Sequence, residues 1–144
     1  MLRLVLDTNI VLDWLYFAEP RCAALAQAVE SGEARWLACA AMRDELAHVL
    51  ARGVRIQRPG DSAAVWAGWQ RWCEVVEPVG HPVPPSLRCT DPDDQKFIDF
   101  ALHTGAAVLL SRDRAVLKLA RRAALHGLRI ETAASWSRRV GGLG

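Results

Sequence analysis

The chain has 144 residues, 51% of them hydrophobic, the size and apolar share of one globular domain with a single core. The 18 Lys and Arg against 16 Asp and Glu leave a formal charge of +2, so bulk electrostatics neither demands nor excludes a nucleic-acid partner. No stretch approaches the roughly 18 uninterrupted apolar residues of a membrane span, and the start of the chain lacks a signal core and cleavage site, so a soluble, cytoplasmic protein without a membrane segment is expected.

Leu2 to Leu6 is an apolar run broken only by Arg3, which suits a strand buried on both faces of a parallel sheet. A helical pattern runs from Thr8 to Gly32, interrupted at Glu19-Pro20, where proline begins a second helix and Gly32 stops it. Arg35 to Cys39 predicts a strand, and Met42 to Leu50 a helix with Met42, Leu46, Val49 and Leu50 turned inward. Arg52 to Gly60 is expected to be a loop, followed by a helix to Trp72 and a short strand over Glu74 to Val79. The proline-rich stretch from His81 to Thr90 is a connector. Asp91-Pro92-Asp93-Asp94 opens a helix through Leu102, closed by Gly105, and Ala106 to Leu110 is another apolar strand. A helix from Arg114 to His126, a stop at Gly127 and a strand from Leu128 to Glu131 complete the pattern. Strands alternating with helices predict a three-layer α/β/α sandwich around a mostly parallel sheet of four to five strands. One domain is expected over residues 1–136, with 137–144 as a tail. Cys22, Cys39, Cys73 and Cys89 lie far apart without a C-x-x-C pair, which argues against a zinc knuckle and predicts free thiols.

Reactive groups in open parallel sheets gather outside the carboxyl ends of the strands. Asp7 closes the first strand, Asp113 follows the Ala106 to Leu110 strand, and Glu45 lies in the helix after Arg35 to Cys39. Asp94 lies in the first turn of a helix leading into the Asp113 strand, a position expected at the opposite edge unless the long connector carries it over. Carboxylates brought together repel by about 4 kcal/mol per pair at 4 Å with an effective dielectric near 20. Oxygen ligands without His or Cys suit Mg²⁺ or Mn²⁺, ions that activate water and neutralise charge on a phosphodiester.

The ordered set resembles the PIN-domain nucleases from Leu2 to about Glu131. Leu4-Val5-Leu6-Asp7-Thr8-Asn9 is similar to the family's first strand and Asp-Thr-Asn signature, and Glu45 to its helical acid. Asp94 matches the third acid, with Ala101 and Gly105 downstream, and Leu109-Leu110-Ser111-Arg112-Asp113 matches the final strand and its hydroxyl-x-acid ending. No single piece is specific; the order is. The resemblance implies that Asp7, Glu45, Asp94 and Asp113 are the catalytic, metal-binding acids, with Thr8, Asn9, Asp93 and Ser111 supporting them. It implies Mg²⁺- or Mn²⁺-dependent hydrolysis of RNA by activated water, leaving a 5′-phosphate and a 3′-hydroxyl. A small single-domain member is similar to the VapC-like toxin of a toxin-antitoxin pair, with RNA, a cognate antitoxin protein and a second copy of the chain as partners. Many members carry a further acid where this chain has Ala115, which favours one firmly held cation.

Each motif also has a plainer explanation. Asp7-Thr8-Asn9 and Asp91-Pro92-Asp93-Asp94 are good helix caps, Asp113 can start a helix, and Glu45 can be a solvated helix residue. Glu45-x-x-His48 has the spacing of a di-iron helix but lacks the second such helix. His81, His103 and His126 share no ligand spacing. Trp66, Trp69 and Trp72 form a stripe that suits a core or dimer contact, or a platform for unpaired bases. Arg112 just before the last acid, and Arg114, Lys118, Arg121 and Arg122 after it, are close enough to hold an RNA backbone, or form a solvated face; Arg52, Arg55 and Arg58 are a second basic group. The competing classes are a catalytically silent PIN module that binds RNA or protein, and a dehalogenase-like phosphatase, which Asn9 disfavours by removing the Asp-x-Asp pair.

Overall fold

The structure, a computed structural model, describes residues 2–52, 61–77, 80 and 83–141. The expected loop over Gly53 to Gly60, with Arg55 and Arg58, and the positions of Val79 and His81 lie outside the described residues.

The first strand, β1 (Leu2–Leu6), leads into α1 (Thr8–Leu15), and a 3-10 turn at Pro20–Cys22 leads into α2 (Ala23–Glu30). Proline therefore opens a turn ahead of the second helix. Just before it, Ala18 sits at φ 51°, a left-handed conformation that costs a residue with a Cβ about 1 kcal/mol. β2 (Ala34–Ala38), α3 (Ala40–Arg52), α4 (Asp61–Trp72) and β3 (Cys73–Val75) follow. After the connector come α5 (Gln95–Thr104), β4 (Val108–Leu110), α6 (Arg114–Leu117), α7 (Ala120–Ala124), β5 (Arg129–Glu131) and α8 (Ala133–Gly141).

The five strands form one sheet in the order β3-β2-β1-β4-β5, and every adjacent pair is parallel. Consecutive residues Leu4, Val5 and Leu6, and likewise Val108, Leu109 and Leu110, are buried. Neighbouring side chains in a strand point to opposite faces, so helices must cover both sides of the sheet. The three-layer α/β/α architecture follows. On α5, Phe97, Ile98, Phe100 and Ala101 turn inward, each larger side chain contributing about 1.5–3 kcal/mol by burial. Gly105, at φ 66°, accepts the left-handed turn that ends α5 and returns the chain to the sheet.

The tryptophan stripe faces inward. Trp69 packs edge-on against the fully buried Trp36 at 5.2 Å, Trp72 stacks on Trp14 at 5.6 Å, and Trp66 reaches Trp69 at 6.1 Å. This is core packing between α4, α1 and β2, not an open base-stacking platform. The cysteines are free, Cys22 and Cys39 buried and Cys73 and Cys89 partly so. Among the described residues no helix is long and apolar enough to cross a membrane.

Two expectations change. The helix expected over Arg114 to His126 breaks at Lys118 and Leu119, leaving α6 and α7 as separate short helices, with Val116, Leu119 and Ala123 all buried. Of the tail expected over 137–144, residues 137–141 are the second half of α8, and 142–144 lie outside the described residues. That helix is polar by composition, but Trp136 is only 1% exposed. Arg139 adds a fork onto the buried Glu131 at the end of β5, Nη2 and Nε lying 2.7 and 3.2 Å from Oε1, and Ser135 Oγ donates to Oε2 at 3.2 Å. Trp136, with Ala133 and Val140 beside it, and one ion pair thus fix a segment whose serines and arginines suggest solvent. Trp136→Ala should lower unfolding free energy by about 3–5 kcal/mol; denaturant unfolding showing a loss below about 1 kcal/mol would mean that α8 contributes nothing to the fold.

Candidate functional site

The chain leaves β1 toward β2 and β3, then crosses back to β4 on the other side of β1, so the β1–β4 seam is the switch point of the sheet. Crevices at such points open beyond the carboxyl ends of the strands. Asp7 continues the seam, its amide donating to Leu110 O at 2.9 Å. Although Asp7 occupies the N-cap position of α1, its side chain makes no capping bond. Its carboxylate instead accepts from Ser111 Oγ at 2.7 Å, and Ser111 Oγ accepts from the Asp113 amide at 3.0 Å. Capping therefore does not explain Asp7. Asp113 does cap, accepting from the Ala115 amide at 2.9 Å, and still faces the same cleft.

Asp94 lies at this edge, contrary to the expectation from its position before β4. A crossover helix runs antiparallel to the strands it joins, so α5 starts at their carboxyl ends and delivers Gly105 to the other edge, where the Ala107 amide meets Arg3 O at 3.0 Å. One carboxylate oxygen each of Asp91, Asp94 and Asp113 lie within 4.8 Å of one another. Asp91 is legible in the sequence only as a cap, and it does accept from the Asp93 amide at 3.0 Å. Asp93 itself is exposed and stands outside the trio.

Glu45 joins from α3 through Thr8, whose buried hydroxyl donates to Glu45 Oε2 in a short hydrogen bond. Its other oxygen takes an ion pair from Lys96 Nζ at 2.6 Å, and Lys96 also donates to Asp93 O at 2.5 Å. Sequence reasoning misses Lys96; its place in the first turn of α5, two residues past Asp94, is the available signal. His48 is exposed on α3. Arg112, expected beside RNA, is forked onto Asp13 at 2.9 and 3.2 Å, which ties the loop after β4 to α1. Arg114 is exposed at the start of α6, while Lys118 and Arg121 share a cavity with Arg88 and Arg122.

Burial raises the pKa of Asp7, opposed by the Ser111 hydrogen bond and reinforced by Glu45 and Asp113. Asp94 is pushed up to about 7, first by burial, then by its hydrogen bond to Asp113 and the charges of Asp7, Asp113 and Asp91. Asp94 Oδ2 is buried with no hydrogen-bond partner, as is Asn9 Oδ1. At 4.8 Å, ionised pairs in the trio repel by roughly 3.5 kcal/mol with an effective dielectric near 20. An unpartnered acceptor among crowded carboxylates fits a hard divalent cation held by oxygen. The acidic cluster is compatible with metal binding.

A carboxyl whose folded pKa lies above its unfolded value stabilises the fold while protonated, and that contribution is lost as pH rises through about 7. Without metal, the melting temperature should fall between pH 5 and pH 8. Mn²⁺ should raise it by several degrees at pH 8 and little at pH 5; equal metal-induced shifts at both values in thermal melts would contradict the coupling.

Comparison with curated proteins gives no match. The family model described as PIN domain matches residues 3–115, from β1 through the acids to the first turn of α6. That span covers most of the chain and all of the clustered carboxylates, and its nuclease-type fold agrees with the parallel sheet and the acidic switch point, so the chain belongs to the PIN-domain family.

Proposed function

We propose that the protein is a Mg²⁺- or Mn²⁺-dependent endoribonuclease that hydrolyses RNA phosphodiester bonds. The observation that carries this reading is the buried Asp94, its Oδ2 unpartnered, set against Asp113 and Asp91 at the end of the β1–β4 seam. Asp91, Asp94 and Asp113 would hold the cation, with Asp7 and Glu45 reaching it directly or through water. A bound divalent ion supplies the rest of the chemistry: it lowers the pKa of water and neutralises charge gathering on a phosphodiester.

The chain's own residues do the positioning. Ser111 holds the Asp7 carboxylate toward Asp113, and Thr8 and Lys96 grip the two oxygens of Glu45 from opposite sides. Groups fixed in this way reorganise little during a reaction, which is where electrostatic catalysis gains. With Ala115 in place of a further acid and an ammonium already on Glu45, one resident cation suits the site better than two.

As part of the same reading, the protein acts as the toxin of a toxin-antitoxin pair, as a homodimer restrained by a separate antitoxin. The small domain built around the nuclease site supports the first role. The exposed Val75 and Val76, at and just past the β3 sheet edge and 51% and 37% exposed, support a second copy or an inhibitor docking there. A second reading, a silent module that binds RNA without cutting it, draws on the same Lys96–Glu45 pair, since an ion-paired Glu45 is less available to a metal.

Asp94→Asn tests the assignment. It should reduce cleavage of single-stranded RNA in Mn²⁺ by at least about 100-fold and weaken Mn²⁺ binding in calorimetry, with the fold intact. Cleavage at the wild-type rate would sink the nuclease assignment. Wild-type protein that binds both Mn²⁺ and RNA yet leaves the RNA whole would select the silent module.

A further inference from the structure

Beside the acidic cluster the surface changes sign. Arg88 and Thr90 of the connector and Ala115, Lys118, Arg121 and Arg122 of the α6–α7 segment line one cavity of about 440 Å³. No acidic side chain lines it, and among the described residues Arg88, Lys118, Arg121 and Arg122 have no ion-pair partner. Some basic side chains elsewhere are matched: Arg21 with Glu19, Arg35 with Glu74, Lys96 with Glu45, Arg112 with Asp13 and Arg139 with Glu131. Four cations around one cavity with no counter-charge repel one another until an anion enters.

The cavity shares its wall with the acids. Thr90 immediately precedes Asp91, and the amide of Ala115 donates to Asp113 Oδ1 at 2.9 Å. The methyl group of Ala115 leaves that wall uncharged, where a carboxylate would neutralise the cations and repel a phosphate. Arg forks and a Lys ammonium are the side chains that grip phosphate oxygens. Because Thr90 adjoins Asp91 and Ala115 bonds Asp113, this opening is placed to meet a neighbouring phosphate of a strand bound at the acids.

We propose that the cavity between the connector and the α6–α7 turn is a phosphate subsite for the RNA strand. It rests on the nuclease reading and holds a phosphodiester adjacent to the one attacked at the acids. Backbone contacts of this kind fix the register of the strand and carry no sequence information. The subsite therefore sets where along the strand the acids act, and not which base they meet.

The test is binding of a labelled single-stranded oligoribonucleotide to the full chain in EDTA, followed by fluorescence anisotropy over a salt series. Lys118→Gln/Arg121→Gln and Ala115→Asp should each bind roughly 10-fold more weakly, with the salt slope falling by about 0.7 for each phosphate left without its cation. Arg3→Gln, at the opposite sheet edge, makes the control and should stay within about 2-fold of wild type. Cavity variants that melt normally and bind like wild type would overturn the subsite, as would an equal loss in Arg3→Gln, which would mean diffuse attraction. Tighter binding of a polyglutamate peptide than of RNA, abolished in the same variants, would overturn it in favour of an acidic protein segment. Loss of RNA binding in the cavity variants alongside a wild type that takes up no Mn²⁺ and cuts no RNA would support the subsite as an RNA contact while removing the nuclease reading.

Discussion

Carboxylates do not gather in a partly buried cleft without a cost, and the arrangement of this protein is organised around that repulsion. Parallel pairing of β1 with β4 leaves no freedom in the matter: Asp7 must follow Leu6 and Ser111 must follow Leu110 at the same end of the same seam. Ser111 converts the adjacency into a fixed geometry by bonding Asp7 with its hydroxyl and taking the amide of Asp113. Asp94 then arrives on α5, where burial and its acidic neighbours hold its proton toward neutral pH. Protonation relieves the repulsion in the absence of metal, and a divalent cation relieves it better.

The surrounding charges are distributed to the same end. Lys96 neutralises Glu45, and the unpaired cations of the α6–α7 cavity adjoin Asp113 through Ala115. The molecule as a whole is nearly neutral, so long-range steering of a polyanion would be modest and the local alternation of sign matters more. An acidic centre with a basic margin suits a polyanion that must approach carboxylates: the margin would attract it, and a divalent cation would screen the centre.

The sheet is legible in the sequence because its strands are short apolar runs closed by punctuation that has a physical meaning, as at Leu6-Asp7 and Leu110-Ser111. The acids are legible for the same reason, since they lie where strands end. Asp94 falls on the wrong edge when its place is taken from the strand it precedes and not from the antiparallel run of the crossover helix. Asp91 is hidden by its evident fitness as a cap, and capping and cluster membership coincide there. Lys96 and the Arg112–Asp13 pair are invisible because partners 51 and 99 residues apart are set by tertiary packing, which local pattern does not encode. The run of α8 to Gly141 is hidden because the helix shows one tryptophan among serines and arginines, too little periodic signal to oppose its polarity.

At the centre of the proposed chemistry, Asp91, Asp94 and Asp113 would hold a divalent cation at the end of the β1–β4 seam. A crystal structure of the protein grown with Mn²⁺, read by anomalous scattering, tests this most directly. The expected result is a single strong peak in bonding contact with Asp94 Oδ2 and Asp113, with Lys96 still on Glu45. No peak at saturating Mn²⁺, or one bound elsewhere while Asp94 stays paired only with Asp113, would contradict it.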